Sequence, residues 1–214
     1  MTTSDMAAEP HLNKEELRAL SAQGVVKAYP KNAVIVNEGD ETDSFYIIVS
    51  GRVKVFVGDE EGREIVLATQ GPGDYFGEMV LDGGPRSASV MTLEPSRFAV
   101  IPKERFRDFL HNHPGFSVHL VEKLIGRTRT LTENVKSLAL LDVYGRVARL
   151  LLEIAVEENG RKIVPDKLTQ QDIASRVGAS REMISRIFKD LTAGGYISIE
   201  KKRITIHKKP PRHW

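Results

Sequence analysis

The chain has 214 residues, of which 41% are hydrophobic and 28% are charged, so it can bury one large core or two small ones. No run of about eighteen apolar residues occurs, and no basic segment followed by an apolar one opens the sequence, which predicts a cytoplasmic protein without a membrane partner. The sequence contains no cysteine, which excludes disulfides, cysteine-ligated iron–sulfur clusters, thiolate haem ligation and cysteine nucleophiles.

The charge is divided unevenly along the chain. Residues 1–138 hold 16 Lys and Arg against 20 Asp and Glu, a balance of −4, and residues 139–214 hold 15 against 9, a balance of +6. Together they give the net charge of +2. We expect only the basic C-terminal part to contact a polyanion.

Residues 1–24 are predicted to form a polar leader and a short helix from Asn13 to Gln23, with Asn13 as its N-cap. Short runs rich in Val, Ile, Phe and Tyr follow, separated by Gly, Asp, Asn and Pro. These runs cover residues 33–36, 45–49, 53–57, 65–68, 87–91 and 96–101. Such spacing predicts a compact antiparallel sandwich or jelly roll over residues 25–110.

A helical period runs from Lys103 to about Leu141, with one break at residues 112–115. Two sets of residues repeat in it every seven positions: Leu124, Leu131 and Leu138, and Leu120, Arg127, Asn134 and Leu141. A heptad seam that includes polar residues is typical of a two-chain coiled coil. We therefore predict a dimerisation helix and hinge over residues 111–141, the alternative being a helix packed on its own sandwich.

The C-terminal part, residues 142–214, begins with an amphipathic helix predicted to run to about Glu157 and to end with Gly160 as a C-capping glycine. Thr169 and Asp172 then form a capping box for a helix that ends at Gly178, and Ser180 caps the next helix. Two short helices joined by a Gly-containing turn predict a helix-turn-helix motif.

The second of these helices presents arginine and glutamate in its first turns, where a recognition helix contacts base edges. Strands predicted at residues 196–199 and 204–207 enclose a basic turn. Together they would form a wing whose cations lie near the phosphates of DNA. The candidate DNA-binding residues are Thr169, Gln170, Ser180, Arg181, Glu182, Ser185, Arg186, Lys189 and Lys202. The alternative is a solvated helix face with ion pairs between residues four apart.

A candidate anion site lies in the sandwich, where Arg86 and Ser87 follow a glycine-rich turn. A guanidinium, a hydroxyl and backbone N–H groups can bind a phosphate there. Glu78, eight residues earlier, would accept from a ribose hydroxyl. The alternative is an ion pair between Arg86 and Glu78.

From about residue 25 to 209 the chain resembles the bacterial cyclic AMP receptor protein and fumarate–nitrate reductase regulator family. The resemblance rests on residues 38–40, 45–53, 76–78, 86–87, 138–146 and 177–186, which match in order and spacing. It implies an α+β chain with a cyclic-nucleotide-binding jelly roll, a central dimerisation helix and a winged helix-turn-helix. It also implies a homodimer that binds an operator in double-stranded DNA and contacts RNA polymerase.

The resemblance assigns roles to single residues. Gly77 and Glu78 match residues that contact the ribose of the nucleotide, and Arg86 and Ser87 match those that bind its phosphate. Thr132 matches a hydroxyl that reaches the base across the dimer, and Arg127 on the same helix completes the candidate ligand-binding set. Three further matches, Arg181, Glu182 and Arg186, imply a TGTGA-type half-site.

Two departures bear on the ligand. Leu131 stands where cyclic AMP receptors carry a hydroxyl, and the turn between Glu78 and Arg86 is shorter by two residues. If the amino group of adenine were buried without a hydrogen-bond partner, the binding free energy would be less favourable by about 1–3 kcal/mol. Cyclic AMP is the leading ligand, cyclic GMP and cyclic di-GMP are alternatives, and regulation without a ligand stays open.

Other classes fit the sequence less well. A cupin-type enzyme needs two or three histidines on its strands, and residues 25–101 contain none. His111, His113 and His119 lie near the break in the helical segment without a carboxylate at ligand spacing. A regulatory module of a larger assembly would not need the recognition helix. We predict a protein that is not an enzyme and holds no metal or resident cofactor.

Overall fold

The computed structural model describes residues 14–41, 43–164, 168–200 and 203–211. The chain divides into two compact units, the first of residues up to Val57 and Val66–Arg129, the second of Gly58–Ile65 and residues from Thr130 onward. Within the described ranges, no helix combines the length and apolar character needed to cross a bilayer.

Up to the end of the long helix, the described residues form eight strands, three α-helices and one 3-10 helix. In chain order they are α1 (Lys14–Ser21), β1 (Val25–Tyr29), β2 (Val34–Val36), β3 (Ser44–Ser50), β4 (Val53–Gly58), β5 (Glu64–Gln70), β6 (Tyr75–Phe76), a 3-10 helix (Glu78–Leu81), β7 (Ser89–Thr92), β8 (Ser96–Pro102), α2 (Lys103–Asn112) and α3 (Pro114–Leu140).

The strands form two four-stranded sheets, in the orders β1-β8-β3-β6 and β2-β7-β4-β5. Side chains alternate between the two faces of β3, as the period of a strand requires. Phe45 and Ile47 pack with α2 and α3, and Phe45 stacks on Phe106 at 3.9 Å between ring centroids. Ile48 packs on the opposite face with Val53 and residues of the second sheet. The predicted antiparallel sandwich is confirmed.

The second unit continues from the end of α3 with a mixed fold. Its elements are α4 (Val143–Ile154), β9 (Val156–Glu158), β10 (Arg161–Val164), α5 (Gln170–Val177), α6 (Arg181–Ala193), β11 (Ile197–Glu200) and β12 (Arg203–Ile206). The strands form one sheet in the order β11-β12-β10-β9. Apolar residues of α4, α5 and α6 share a core with this sheet. The predicted winged helix-turn-helix is confirmed.

The predicted end of the first C-terminal helix is wrong. α4 ends at Ile154, and Ala155 is extended, so Val156 begins a strand instead of a further helical turn. Gly160 is the second residue of a hairpin turn and does not cap the helix. Asn159 and Gly160 have φ of 52° and 74°, and Asn-Gly is the pair best suited to a tight turn with two positive φ values.

The two heptad sets on α3 differ in their surroundings. Leu120 is buried in the core of the first unit, so its prediction as part of an intermolecular seam is wrong. Leu124, Leu131 and Leu138 are instead 37%, 47% and 48% exposed. The two heptad sets lie side by side on one face of the helix. A seven-residue repeat therefore does not show which set packs against the sandwich and which stays exposed.

Gly51 lies where β3 turns into β4, and its backbone allows no side chain. Its φ is 91°, and a Cβ there would lie 2.1 Å from Ser96 Oγ and 2.6 Å from Ser96 Cα. We expect Gly51→Ala to lower the free energy of unfolding by about 2–5 kcal/mol, because backbone strain and overpacking add. Urea denaturation followed by circular dichroism measures it.

Gly39→Ala is the matched control. Gly39 has φ of 84°, and no described atom lies within 4 Å of the position of its Cβ. Only the strain of the left-handed conformation applies, which costs about 1–2 kcal/mol. Equal losses in the two variants would contradict the steric account.

Candidate functional site

The candidate pocket is built around a left-handed turn at Gly77. β6 ends at Phe76, Gly77 has φ of 87°, and the 3-10 helix begins at Glu78. A Cβ on Gly77 would lie 2.7 Å from Arg86 Nη1 and 3.0 Å from Ser44 O. A residue without a side chain at this turn therefore lets the Arg86 guanidinium lie against the main chain.

Arg86 is a buried cation that is only partly satisfied. Its side chain is 6% exposed, and Nη2 donates to Ser44 O at 2.8 Å. Its backbone is fixed by bonds to the turn before β3, from Arg86 N to Asp40 O at 2.9 Å and from Gly39 N to Arg86 O at 2.8 Å. Nη1 is buried and has no hydrogen-bond partner among the residues described.

The guanidinium of Arg86 lies over an aromatic floor. Its Cζ is 5.7 Å from the centroid of the Tyr46 ring, which stacks on Phe76 at 4.8 Å. Burial raises the pKa of Tyr46 above its ordinary value, and the nearby charge of Arg86 opposes this effect. Tyr46 is therefore a neutral phenol whose ring faces a cation.

Glu78 is paired with Arg127 of α3, so the sequence alternative of an ion pair between Arg86 and Glu78 is wrong. Arg127 Nη1 lies 2.5 Å from Glu78 Oε1, and Nη2 donates to Tyr75 O at 2.8 Å. The Glu78 side chain is 10% exposed. Its Oε2 is buried and accepts no hydrogen bond from the described part of the chain.

Arg86 Nη1 and Glu78 Oε2 are called here the open donor and the open acceptor. A buried group without a partner is costly, which is why such groups are rare in folded proteins. A ligand that carries an anionic oxygen and a hydroxyl would satisfy both atoms. The residues present therefore fit a sugar phosphate.

Four of the six predicted ligand residues come together: Gly77, Glu78, Arg86 and Arg127. Ser87 follows Arg86 with its side chain exposed. Thr132 lies on α3 within the second unit. Ser44 and Tyr46 were missed, because a backbone acceptor leaves no mark in a sequence and the alternation of a strand marks Tyr46 only as inward-facing.

The bihelical motif of the second unit has the predicted caps. Thr169 Oγ1 accepts from Asp172 N at 3.1 Å, and Thr169 N donates to Asp172 Oδ2 at 2.7 Å, which completes the capping box. α5 ends at Val177 and is capped by Gly178, which is left-handed with φ of 64°. Ser180 Oγ then accepts from Met183 N at 3.2 Å and begins α6.

α6 separates apolar and polar residues cleanly. Ile184, Ile187, Phe188 and Leu191 are buried in the core of the unit. The predicted DNA-binding residues of the helix are all exposed: Arg181, Glu182, Ser185, Arg186 and Lys189. Neither Glu182 nor Arg186 forms an ion pair within the described ranges, so the alternative of pairing along the helix is not observed. These charges are available to a partner outside the chain.

The remaining predicted DNA-binding residues lie near the start of α5 or in the wing. Thr169 and Gln170 line a surface cleft of about 360 Å³ together with Gln171 and Arg181, which brings the N-termini of α5 and α6 to one surface. Thr169 is exposed and Gln170 is partly buried. Lys202 lies outside the described residues.

The helices of the second unit meet at Arg146. α3 ends at Leu140, and Asp142 caps α4 by accepting from Gly145 N at 2.7 Å. Arg146 donates from Nη1 to Leu141 O at 2.9 Å and from Nε to Val177 O at 2.8 Å. One side chain therefore binds both the segment after α3 and the C-terminus of α5.

In the ranges that the structure describes, no group of three His, Asp or Glu side chains could hold a metal ion. His111, in α2, and His113, which follows it, place Nδ1 at 2.8 Å and 2.9 Å from backbone carbonyls of α2.

Both units match known families. Residues 26–113 match the cyclic nucleotide-binding domain, and residues 145–210 match the Crp-like helix-turn-helix domain. The chain is 35% identical over 195 residues to the CRP-like cAMP-activated global transcriptional regulator of Mycobacterium tuberculosis, covering 89% of this chain and 87% of the relative. It is 34% identical over 188 residues to the cAMP-activated global transcriptional regulator CRP of Escherichia coli O157:H7, covering 85% and 89%.

Solved structures agree. The cyclic di-GMP responsive global regulator CLP of Xanthomonas campestris matches with a TM-score of 0.80 and 26% identity, over 92% of this chain and all of that one. Fold, sites and relatives define a cyclic nucleotide-regulated, DNA-binding transcription regulator. The chain belongs to the cyclic AMP receptor protein and fumarate–nitrate reductase regulator family.

Proposed function

We propose that this protein is a homodimeric regulator that binds cyclic AMP in the pocket of Gly77, Glu78, Arg86 and Ser87 and then binds a palindrome with TGTGA-type halves. The observation that carries the proposal is the pair of open atoms. The open donor suits the phosphate of a cyclic nucleotide, and the open acceptor suits its ribose hydroxyl.

The choice of nucleotide rests on the relatives and on the pocket. The M. tuberculosis and E. coli relatives are described as cAMP-activated, whereas the X. campestris structure is of a cyclic di-GMP responsive regulator. The sequence relatives favour cyclic AMP for this chain. Leu131 offers the base no hydroxyl, so cyclic GMP and cyclic di-GMP remain alternatives to cyclic AMP and are tested with it. Regulation without any ligand is the remaining alternative.

The dimer is supported by the outer face of α3. Apolar residues on this helix remain 37–66% exposed, which is unusual for a helix surface in water. They are Val118, Val121, Leu124, Ile125, Leu131, Val135 and Leu138. A second copy of α3 would cover them, and Thr132 on the same helix would then reach a nucleotide bound by the partner.

The proposed mechanism is a population shift between two arrangements of the helices. Arg127 couples α3 to Glu78 in the first unit, and Arg146 couples the segment after α3 to the end of α5 in the second. Nucleotide at Glu78 favours one state of α3. That state sets the two recognition helices of the dimer at groove spacing.

Arg86→Ala tests the pocket. Loss of a hydrogen bond to a charged group costs about 1.5–3 kcal/mol, so nucleotide should bind about 10- to 100-fold more weakly. Calorimetric titration with cyclic AMP, cyclic GMP and cyclic di-GMP measures this, and sedimentation should show the same dimer. Arg97→Ala, which removes an exposed arginine from β8, is the control. Unchanged affinity in Arg86→Ala would exclude the pocket.

Ile125→Asp tests the dimer. Ile125 is 48% exposed, and two aspartates in the paired helices would be buried without partners. We expect the dimer dissociation constant to rise at least about 100-fold. Sedimentation velocity across a concentration series measures it. Val26→Asp, at a β1 residue that is 45% exposed, should leave the dimer intact. A wild-type chain that sediments as a monomer would refute the proposal.

Arg181→Ala tests DNA recognition. An arginine that bonds a guanine contributes about 1–3 kcal/mol of discrimination, so affinity for a TGTGA-type duplex should fall by that amount while binding to unrelated duplex changes little. Gel-shift titration of both duplexes at one salt concentration measures it. Arg161→Ala removes an equal, exposed charge from β10 as the control. Equal losses on the two duplexes would mean that Arg181 contacts only phosphate.

A further inference from the structure

Two cations of α3, one helical turn apart, hold the same short segment of the first unit. Lys123 Nζ lies 2.7 Å from Asp74 Oδ1, and Arg127 binds Glu78 and Tyr75 O. Tyr75 lies between them, with its ring centroid 4.3 Å from Lys123 Nζ and 5.6 Å from Arg127 Cζ. The segment from Asp74 to Glu78 is therefore bound to α3 at both of its ends.

Lys123 anchors α3 to the sandwich. Its side chain is 12% exposed, so the ammonium is held with little water around it. Asp74 is held independently, because its Oδ2 accepts from Gly71 N at 3.0 Å and its carbonyl accepts from Ile48 N at 2.9 Å. Lys123 thus joins α3 to a carboxylate that the sandwich itself orients.

The contact between Lys123 and Asp74 restricts the position of Arg127. Its guanidinium must reach Glu78 Oε1 while leaving Oε2 to a ligand, and an arginine side chain has many rotamers. An anchor one turn earlier on the helix fixes the position from which Arg127 extends. Without it, the helical turn can shift and the guanidinium can rotate over both carboxylate oxygens.

We propose that Lys123 and Asp74 are a positioning pair for nucleotide binding: they hold Arg127 against one oxygen of Glu78 and so keep the other directed at the sugar hydroxyl. The inference rests on the proposed function, since it takes Glu78 as the ribose contact. Lys123 does not touch the ligand. It acts through Arg127.

A positioning role differs measurably from a structural one. If Lys123 only stabilised the fold, its loss would weaken every ligand alike and lower the melting temperature in parallel. If it orients Glu78, its loss weakens only ligands that carry the hydroxyl. The 2′-deoxy analogue of cyclic AMP lacks the hydroxyl and serves as the second probe.

The experiment is calorimetric titration of the 214-residue protein with cyclic AMP and 2′-deoxy cyclic AMP. We expect Lys123→Met and Asp74→Asn each to weaken cyclic AMP about tenfold, and the double variant to lose no more than either, as for two groups in contact. Asp74→Asn keeps an oxygen for Gly71 N. Binding of the deoxy analogue, weaker in the wild type, should be unchanged in all three variants.

Lys136→Met is the matched control on the same helix, because Lys136 is 63% exposed and pairs only loosely with Glu133 at 3.8 Å. It should bind both nucleotides as the wild type does. Thermal melts of every variant accompany the titrations. Should Lys123→Met unfold the chain, Asp74→Asn and the double variant, which leaves no unpaired charge, still carry the comparison.

The outcomes separate the two proposals. A wild-type chain that binds neither nucleotide overturns the proposed function and this inference with it. Tight wild-type binding with an unchanged constant in Lys123→Met overturns only the inference. Equal weakening of both nucleotides, with a matching drop in melting temperature, also overturns it, because it assigns Lys123 a structural role.

Discussion

The pocket depends on the left-handed turn at Gly77. Because the chain turns there without a side chain, Arg86 can lie against the backbone, bound to Ser44 O and covered by Tyr46. The next residue, Glu78, is directed at Arg127. One turn of the backbone therefore contacts a buried cation and is followed directly by a buried anion, and each of the two charges is paired elsewhere. Each retains an atom for a ligand.

The same arrangement ties Glu78, the proposed ribose contact, to helix α3. The guanidinium of Arg127 binds both Glu78 and Tyr75 O, so a change in the position of Glu78 would be transmitted to the helix. Further along the chain, Leu141 accepts from Arg146, which also binds the end of α5. In each contact one arginine donates charge-assisted hydrogen bonds to two separate parts of the chain at once. Such bonds can bias a two-state element in the way that allosteric coupling requires.

Much of this could be predicted from the sequence. Caps are local, so Thr169, Asp172, Gly178 and Ser180 defined the bihelical motif correctly, and strand alternation defined the sandwich. Local patterns could not place Arg127, whose partner Glu78 lies 49 positions away. They also left open whether Leu120 faces a sandwich or a second chain. The sequence of a helix does not show which of two neighbouring sets of apolar residues packs against its own chain.

The β9–β10 hairpin was missed for a different reason. Its two strands are three and four residues long, too short for an alternating pattern, and Asn159-Gly160 suits a helix end as well as a hairpin turn. The hairpin forms because β10 pairs with β12, a contact 40 residues distant in sequence between Val164 and Ile204. Tertiary pairing settled what the local sequence left ambiguous.

In the proposed mechanism, nucleotide in the sandwich controls DNA binding by α6. The most direct test is fluorescence anisotropy of a TGTGA-N6-TCACA duplex titrated with the wild-type protein at fixed salt, with and without cyclic AMP. We expect the nucleotide to tighten binding at least about tenfold, a coupling of about 1.4 kcal/mol. Equal binding with and without cyclic AMP, cyclic GMP or cyclic di-GMP would contradict it and leave a DNA-binding protein whose sandwich answers to another signal.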